Sequence, residues 1–394
     1  MQGKRKKSPK IKKVVLLITP SREHTRGLLN GIIRYARIQS DWSFRRPIAY
    51  RLPKSGQELL PVLKEIKPDG ILMREPKEIM KIIELGIPTV AFTYSRERFP
   101  KIVNFITDHA GVGKMGAKHL LQFGFQKFAF CGFDDWWWSR LRGRSFALTI
   151  AQAGYEAFIY KLPRLKSKIT WHKEVVIIAD WLRSLPKPVG LMACNDDRGE
   201  LVLEACKIAG LSVPQDVAVI GVDNDKLICD LSVPPLSSIV LNIEKAGFDA
   251  AELLNRMMKG ENVEKTDMYI KPLHVVQRQS TNTLAIDDPN VAKAMHYIHK
   301  HAANPICVND VVDAVLLSRR MLEKRFREVL NHSIHDEIRD TRIEKIVHLL
   351  SESQMSISQI AQTMQFPCVT HFSRYFRKVK GISPAAYRKL HIRD

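Results

Sequence analysis

Short aliphatic runs alternate with amphipathic segments over the first two thirds of the chain, and no other feature of the sequence constrains the fold as strongly. The strand-like runs include residues 14–19, 70–73, 89–92 and 217–222, and residues 26–38 repeat apolar side chains at helical spacing. Strands and helices that alternate in this way form parallel sheets covered by helices on both faces. Roughly a dozen such elements exceed what one sheet usually holds. We therefore expect an α/β region of two parallel-sheet lobes.

The charge of the chain points to a polyanionic partner. The 394 residues include 62 Lys and Arg against 41 Asp and Glu, a net charge of +21. A balance of this size favours nucleic acid first and an anionic membrane second. Residues 1–13 form a basic tail with seven Lys or Arg and no acid. The apolar run behind that tail is too short for a secretory signal, and no run reaches the roughly 18–20 residues of a spanning helix, so we expect a cytoplasmic protein without a membrane partner.

The cysteines and histidines give little support to a metal or redox site. None of the six cysteines stands at the C-x-x-C spacing of zinc sites or redox dithiols. His296, His299 and His301 fall on one predicted helix, but no Cys or carboxylate supports them as ligands. We expect no metal, no cofactor and no catalytic residue.

One glycine pattern leaves an enzymatic alternative open. Gly111, Gly113 and Gly116 match the G-x-G-x-x-G pattern of dinucleotide-binding folds, which would suit an NAD-dependent enzyme. Three residues separate the preceding strand from Gly111, although a tight turn should follow the strand at once. The favoured interpretation is therefore a closely packed helix that begins with small residues.

Residues 103–280 carry motifs that resemble the effector domains of LacI-type repressors, which share the fold of periplasmic sugar-binding proteins. The matching segments are Asp108 with His119-Leu120, Arg142 with Phe146, Asn195-Asp196, residues 213–223, Pro234-Pro235-Leu236 and Arg278-Gln279-Ser280. The resemblance implies a two-lobed periplasmic-binding-protein-like domain over residues 14–280. It also implies a sugar that sits between the lobes and shifts their closure.

Five residues are predicted to contact the sugar. Asp108, Asn195 and Asp223 each follow a predicted strand, where α/β clefts bind ligands. Arg142 offers a planar fork of donors, and Trp136 lies in a run of three tryptophans that could stack on a sugar face. The resemblance implies these contacts for Asp108, Asn195, Asp223 and Arg142. Helix N-capping is the alternative role for the two aspartates, and packing against a lobe or a dimer partner is the alternative for the tryptophan.

From residue 291 the pattern is wholly helical and contains two helix-turn-helix units, within residues 308–330 and 357–379. Phe372, Phe376 and Val379 recur at a spacing that predicts an inward-facing stripe on the last helix of the second unit. The opposite faces of the two second helices are basic, with Arg319, Arg320, Lys324 and Arg327 on one and Arg374, Arg377 and Lys378 on the other. Two basic helices, each behind a short helix and a tight turn, indicate a DNA-binding domain.

The same region resembles the AraC/XylS DNA-binding domain over its full length. The motifs are Ser318-x-x-x-Leu322-x-x-x-Phe326, Arg342-Ile343-Glu344-Lys345, Phe372-Ser373-Arg374-x-Phe376-Arg377-Lys378 and Ser383-Pro384. By this resemblance, bases are read by Arg320, Lys324, Val369, Thr370 and Arg374, and phosphates are contacted by Arg319, Arg327, Arg377 and Lys378. Asn331 and Gln365 stand where the family commonly has glycine, and Gln is less suited than Asn to a left-handed turn.

The predicted organisation is a basic tail over 1–13, an effector domain over 14–280, a linker over 281–290 and an AraC-type domain over 291–394. It implies a ligand-responsive transcription regulator of carbohydrate catabolic genes, with an activator favoured and a repressor left open. The resemblance favours xylose or a related monosaccharide as effector. Double-stranded DNA, a second copy of the chain and RNA polymerase are the expected partners. An NAD-dependent enzyme and a sugar-binding protein without regulatory function are the alternatives.

Overall fold

The computed structural model describes residues 11–39, 41–47, 59–76, 78–94, 98–162, 170–263, 267–282, 288–353 and 355–391. Its strands are β1 (Lys12–Leu17), β2 (Trp42–Arg45), β3 (Gly70–Met73), β4 (Thr89–Phe92), β5 (Val103–Thr107), β6 (Phe128–Cys131), β7 (Ala157–Ile159), β8 (Val189–Ala193), β9 (Val217–Val222), β10 (Ser237–Leu241), β11 (Met268–Ile270) and β12 (Pro272–Val276). Its helices are α1 (Glu23–Gln39), α2 (Leu59–Ile66), α3 (Ile79–Glu84), α4 (His109–Gln122), α5 (Trp137–Gln152), α6 (Trp171–Ser184), α7 (Asp196–Ala209), α8 (Lys226–Leu231), α9 (Ile243–Met258), α10 (Pro289–Lys300), α11 (Val308–Val315), α12 (Arg319–Leu330), α13 (Ile334–Glu352), α14 (Ile357–Thr363), α15 (Val369–Lys380) and α16 (Pro384–His391).

The first compact unit is an α/β lobe built from the described residues among 11–108, 136–138 and 242–271. Its sheet has the order β11-β5-β4-β3-β1-β2, and all its pairings are parallel. Helices α1 and α9 approach closely because each carries a glycine at the contact. A Cβ on Gly31 would lie 1.9 Å from the backbone oxygen of Glu244, and one on Gly247 would lie 2.1 Å from that of Leu28. Larger residues would force these helices apart.

The second compact unit begins with a second α/β lobe, the second lobe, formed by residues 109–135, 139–241 and 272–282. Its sheet has the order β12-β10-β9-β8-β6-β7, and only β12 runs antiparallel to its neighbour. Strands β8 and β9 are buried along their whole length, as expected for central strands covered on both faces. The carboxyl ends of these central strands carry two of the predicted sugar-binding residues, Asn195 and Asp223.

The same unit continues into an all-helical region, the helical domain, over residues 288–391. It has two apolar cores, one around α11 and α12 and one around α14 and α15. Helix α13 joins them, since Ile334 and Ile338 lie in the first core while Ile343 and Ile346 lie in the second. Both predicted helix-turn-helix units are therefore present, on a shared helix.

The predicted fold class is confirmed. Residues 1–10 of the predicted tail and 283–287 of the predicted linker lie outside the described residues. Two boundaries differ from expectation. Strand β1 starts at Lys12, inside the predicted tail. Helix α10 starts at Pro289, inside the predicted linker, because Asp288 accepts backbone hydrogen bonds from Asn290 and Val291 at the N-cap. Strands β2, β7 and β11 were not predicted. They are three or four residues long and largely half-buried or exposed, so they lack an aliphatic signal.

Candidate effector and DNA-binding sites

Arg142 lies at the centre of a polar network in the second lobe. Its side chain is only 4% exposed. Nε donates a hydrogen bond to Nδ1 of His109 over 3.2 Å, and Nη1 donates to the backbone oxygen of Cys194. Nη2 lies 3.9 Å from Oδ1 of Asp223. The guanidinium thus brings together the start of α4 and the carboxyl ends of β8 and β9.

Asp223 has an unusual backbone conformation at the end of β9. Its φ is +100°, a region that residues with a side chain rarely adopt. The backbone N–H donates to the oxygen of Ile239 over 3.0 Å, which holds the turn against the neighbouring strand. Strain of this kind is typical of ligand sites, where surrounding structure fixes a side chain in a required direction. The carboxylate is 25% exposed and faces Arg142.

Asp196 is a buried carboxyl group that the sequence did not single out. It is 2% exposed. Its Oδ1 accepts a hydrogen bond from Ser238 Oγ over 2.6 Å, and its Oδ2 accepts from the Asp225 N–H over 2.7 Å. Burial, together with the charge of Asp223, raises the pKa of Asp196 well above its usual value. This group therefore links the turn after β9 to strand β10. In the sequence, only the Asn195-Asp196 motif pointed to Asp196.

Asn195 is engaged as the N-cap of α7. Its Oδ1 accepts from the Arg198 N–H over 3.0 Å, and its Nδ2 donates to Asp197 Oδ2 over 3.3 Å. Such caps typically contribute about 1 kcal/mol to helix stability. The structure therefore gives Asn195 a local role, and its contact with a sugar stays a prediction.

Asp108 and Trp136 belong to the first compact unit. The N–H of Asp108, directly after β5, donates to the oxygen of Ile270 over 2.9 Å. The ring of Trp136 lies 4.8 Å from that of Tyr94, and Nε1 of Trp137 donates to the Tyr94 backbone oxygen over 2.8 Å. The guanidinium of Arg74 covers Tyr94 at 4.6 Å. The tryptophan run thus packs on an aromatic and cationic surface of the first lobe, which the sequence alone did not reveal.

The glycine pattern at 111–116 does not form a phosphate-binding loop. Helix α4 begins at His109, so Gly111, Gly113 and Gly116 all lie inside it. A Cβ on Gly113 would lie 2.3 Å from the Arg142 backbone oxygen, and one on Gly116 would lie 2.4 Å from the sulfur of Met192. These glycines let α4 pack against α5 and β8. The dinucleotide interpretation is wrong, and the packing interpretation is confirmed.

The first candidate recognition helix, α12, presents its basic residues to solvent. Ser318 caps it by accepting from the Met321 N–H over 3.4 Å. The predicted DNA contacts on this helix are all exposed, namely Arg319, Arg320, Lys324 and Arg327. Two of them form ion pairs along the helix, since Arg319 Nε lies 2.8 Å from Glu323 and Lys324 Nζ lies 3.8 Å from Glu328. Both pairs are solvent-exposed and therefore weak enough to exchange for contacts with DNA.

The second candidate recognition helix, α15, has a similar exposed face. Val369, Thr370, Arg374, Arg377 and Lys378 are all exposed. Within the described ranges, Arg374, Arg377 and Lys378 have no carboxylate partner. The predicted inward stripe is correct for Phe372 and Phe376, which are fully buried. It is wrong for Val379, which is 36% exposed because the last turn of α15 extends beyond the second apolar core.

The turns and helix α13 fix the geometry of the two helix-turn-helix units. Asn331 and Gln365 have φ values of +58° and +52°, so both adopt the left-handed conformation that glycine would favour. Gln365 also donates through Nε2 to Asn304 Oδ1 over 3.2 Å. Arg342 on α13 is 7% exposed, and it donates to the backbone oxygens of Asn304 and Met364 over 2.7 and 2.6 Å. Its guanidinium therefore ties the connection between α10 and α11 to the end of α14.

A buried carboxylate lies at the start of α13. Glu337 is 3% exposed and lies 2.7 Å from Nε2 of His332 and 3.4 Å from Nε2 of His299. Burial opposes its charge, but the hydrogen bonds from both histidines prevail and lower the pKa of Glu337 to about 2. Burial also opposes the charged form of His332, and the Glu337 contact prevails and raises the pKa of His332. His299 is thus a partner of Glu337, and in the described ranges no group of three or more His, Cys, Asp or Glu could hold a metal ion.

Comparison with known proteins agrees with this arrangement. The periplasmic binding protein-like domain family matches residues 117–281, and the helix-turn-helix domain family matches residues 311–390. The xylose operon regulatory protein of Escherichia coli (strain K12) is 29% identical over 385 residues, which cover 95% of this chain and 96% of the relative. The protein of the same name from Haemophilus influenzae is 29% identical over 387 residues, which cover 95% of this chain and 98% of the relative.

Solved structures give the same result. The structure of a xylose-binding transcription activator is 28% identical, with a TM-score of 0.61, over 97% of this chain and 99% of that chain. A periplasmic binding protein/LacI transcriptional regulator from Alkaliphilus metalliredigens, complexed with D-xylulofuranose, covers 69% of this chain and 100% of its own, with 23% identity and a TM-score of 0.53. That second likeness bears on the fold alone. Both resemblances inferred from the motifs, LacI-type for the effector region and AraC-type for the helical domain, are confirmed. None of the helices in the described ranges has the length and apolarity needed to cross a bilayer.

Proposed function

We propose that this chain, in which a periplasmic binding protein-like sensor precedes an AraC-type DNA-binding domain, is a sugar-responsive transcription regulator that activates carbohydrate catabolic genes. The observation that carries the proposal is the pair of exposed basic helices, α12 and α15, in a chain similar over 95% of its length to xylose operon regulatory proteins. The relatives are regulators, which disfavours the NAD-dependent alternative. A sensor without regulatory function does not account for the helical domain.

In the proposed DNA complex, base contacts come from the side chains nearest the N-terminal turns of the two helices. Arg320, Lys324 and Arg374 supply hydrogen-bond donors for purine edges, Val369 supplies an apolar contact for a thymine methyl group, and Thr370 supplies a hydroxyl group. Arg319, Arg327, Arg377 and Lys378 contact phosphates and so set affinity and register. Arg319 and Lys324 exchange their exposed glutamate partners for DNA.

In the proposed sugar site, Arg142 donates to hydroxyl oxygens, and Asp223 and Asp108 accept from hydroxyl groups. Asn195 offers an amide and Trp136 offers an aromatic face. The strained backbone of Asp223 and the network around Arg142 support this assignment, because preorganised donors and acceptors reduce the cost of binding. Xylose or a related monosaccharide is the proposed effector, since one similar solved structure is that of a xylose-binding activator.

The proposed domains are those inferred from the sequence, an effector domain over 14–280 and a DNA-binding domain over 291–394, although the first strand of one and the first helix of the other each begin two residues earlier. The regulator acts in the cytoplasm as a homodimer and recruits RNA polymerase. Sugar binding changes DNA binding only if the sugar has different affinities for two conformations of the sensor.

Two measurements test the proposal. A thermal-shift screen of pentoses and hexoses should find one monosaccharide, with D-xylose tested first, that raises the melting temperature by about 5 °C at a concentration of 100 Kd. The Asp223→Ala variant should lose this shift, whereas Asp180→Ala, which changes an exposed carboxylate on α6, should keep it. Selection from random duplexes should yield a DNA sequence bound by the full chain. No stabilising sugar, or no selected duplex, contradicts the proposal.

A further inference from the structure

The second lobe and the helical domain contact each other within the second compact unit. Gln122 Nε2, at the end of α4, donates to Glu344 Oε1 on α13 over 3.0 Å. The ring of Phe123 lies edge-on to His299 at 5.4 Å. The rings of His274 on β12 and His348 on α13 lie 5.3 Å apart. We call these three residue pairs the docking contact. The docking contact joins Gln122, Phe123 and His274 of the second lobe to helices α10 and α13 of the helical domain.

The lobe side of the docking contact is well fixed. His119 is 7% exposed, its ring lies 4.9 Å from Phe123, and its Nε2 lies 3.1 Å from Thr281 Oγ1. Burial, with a smaller effect from His299, lowers the pKa of His119 to about 3, so the imidazole is neutral at pH 7. The end of α4 is therefore not a loose surface that meets the helical domain by chance.

A groove of about 480 Å³ continues the docking contact toward the second recognition helix. On the lobe side it is lined by Lys114 and Lys118 of α4, and on the helical side by Asp340 and Glu344 of α13. The opposite charges favour this arrangement. Val379 and Lys380 at the end of α15 line the same groove. A shift of α4 would thus act on the end of a DNA-reading helix.

The other end of α4 lies at the proposed sugar site. His109, its first residue, accepts a hydrogen bond from Arg142, and Asp108 directly precedes it. Because a Cβ on Gly113 would lie 2.3 Å from the Arg142 backbone oxygen, α4 packs closely against the helix that carries this arginine. Helix α4 has 14 residues and so spans about 21 Å.

We infer that α4 transmits the state of the sugar site to the DNA-binding domain, with Arg142 and His109 at one end and the docking contact with α13 at the other. This inference rests on the proposed function and assigns the route of its regulation. The docked arrangement is one of two states whose populations the sugar changes. A coupling of this kind typically changes affinity by about 5-fold to 150-fold.

Cross-linking tests whether the docked state forms in solution. In a full-length background with Cys307→Ser and Cys368→Ser, which removes the exposed thiols and keeps residues able to cap helices, the variant Gln122→Cys/Glu344→Cys is treated with a short bismaleimide. We expect an intramolecular bridge in the sugar-free protein and none in either single-cysteine variant. Failure to bridge overturns the inference whether or not the chain binds sugar.

The affinity for the selected duplex then tests the coupling. D-xylose at saturation should change the Kd of wild type about 5-fold or more, and the bridged protein should show no change. Gln122→Ala should reduce the response, and Gln126→Ala, a matched change on the exposed turn after α4, should leave it intact. A bridged protein with the full wild-type response overturns the inference. If the double-cysteine variant bridges but the wild-type chain binds no sugar, the proposed function is contradicted instead, and α4 has no signal to carry.

Discussion

The proposed sugar site and the proposed DNA-binding surface use arginine in opposite ways. Arg142 in the second lobe is 4% exposed and contacts two backbone or ring acceptors and a carboxylate of the same lobe. Arg374 on α15 is exposed and has no carboxylate partner among the described residues. The buried Arg142 stabilises the lobe and is also proposed to bind the sugar, whereas the exposed Arg374 is proposed only to bind DNA. Function and stability should therefore be linked in the sensor and separable in the DNA-binding domain.

Acidification gives the largest expected contrast between the two regions. Burial lowers the pKa of His119 and of His274 to about 3, with smaller effects from His299 and His348 respectively. Their unfolded forms bind a proton near pH 6.5, so stability is lost as the pH falls below that value. At pH 5 each histidine should cost the second lobe about 2 kcal/mol relative to pH 7.5.

The helical domain should respond to the same change in the opposite direction. The pKa of His332 is raised in the folded state, so its contribution is fully present below pH 6.5 and is lost as the pH rises through the folded value. Glu337, with a pKa of about 2, loses its contribution only below about pH 4.5. Hydrogen exchange of the full chain at pH 5 and 7.5, corrected for intrinsic rates, should show less protection in α4 and β12 and no loss in α12. Equal loss in both regions would contradict the contrast.

Loss of Arg142 should affect both binding and stability. The Arg142→Ala variant leaves His109, the Cys194 oxygen and Asp223 without this donor, and we expect a loss of about 3 kcal/mol in unfolding free energy together with loss of sugar binding. Arg144→Ala, an exposed position on the same helix, should change stability by less than about 0.5 kcal/mol. Urea denaturation and calorimetric titration with sugar measure the two quantities. A stable Arg142→Ala protein that merely fails to bind would break the proposed link.

Loss of Arg374 should affect binding alone. The Arg374→Ala variant should weaken binding to the selected duplex by about 1–3 kcal/mol, and its unfolding free energy should stay within about 0.5 kcal/mol of wild type. Lys300→Ala, an exposed basic change on α10, serves as the control. Fluorescence anisotropy and urea denaturation give both values. Destabilisation as large as that expected for Arg142→Ala would show that the two surfaces do not differ.

The smallest expected effect comes from Arg377→Ala, which tests whether Arg377 contacts phosphates or reads bases. Arg377→Ala should weaken binding to all duplexes about equally and reduce the slope of log Kobs against log salt by about 1. Titrations of the selected duplex and of a scrambled duplex at several salt concentrations measure it. A loss confined to the selected sequence would reassign Arg377 to base reading.

The two regions also differ in how far the sequence predicts them. The central strands and the two basic helices follow from local patterns, because aliphatic runs and helical spacing are properties of neighbouring residues. The engagement of Asp196 and His119 depends on Ser238 and Thr281, which lie 42 and 162 residues away along the chain. No local pattern carries such pairings, so the sequence identified the segments around the sugar site but not the contacts that hold them.

Val379 shows the same limit inside the helical domain. Its spacing from Phe372 and Phe376 is that of a core residue, yet it lines the groove beside the second lobe. Its position depends on where the second core ends and on what packs beyond it, and neither is encoded in the helix itself. The failed prediction therefore marks the point where the DNA-binding domain meets the sensor.

The central claim is that sugar bound in the sensor changes how the helical domain binds DNA. Its most direct test is a titration of the labelled selected duplex with the full chain, with and without saturating D-xylose. We predict that the sugar changes Kd about 5-fold or more, and that saturating duplex changes the affinity for the sugar by the same factor, as linkage requires. Sugar and DNA that bind to the same molecule with no effect on each other would contradict it.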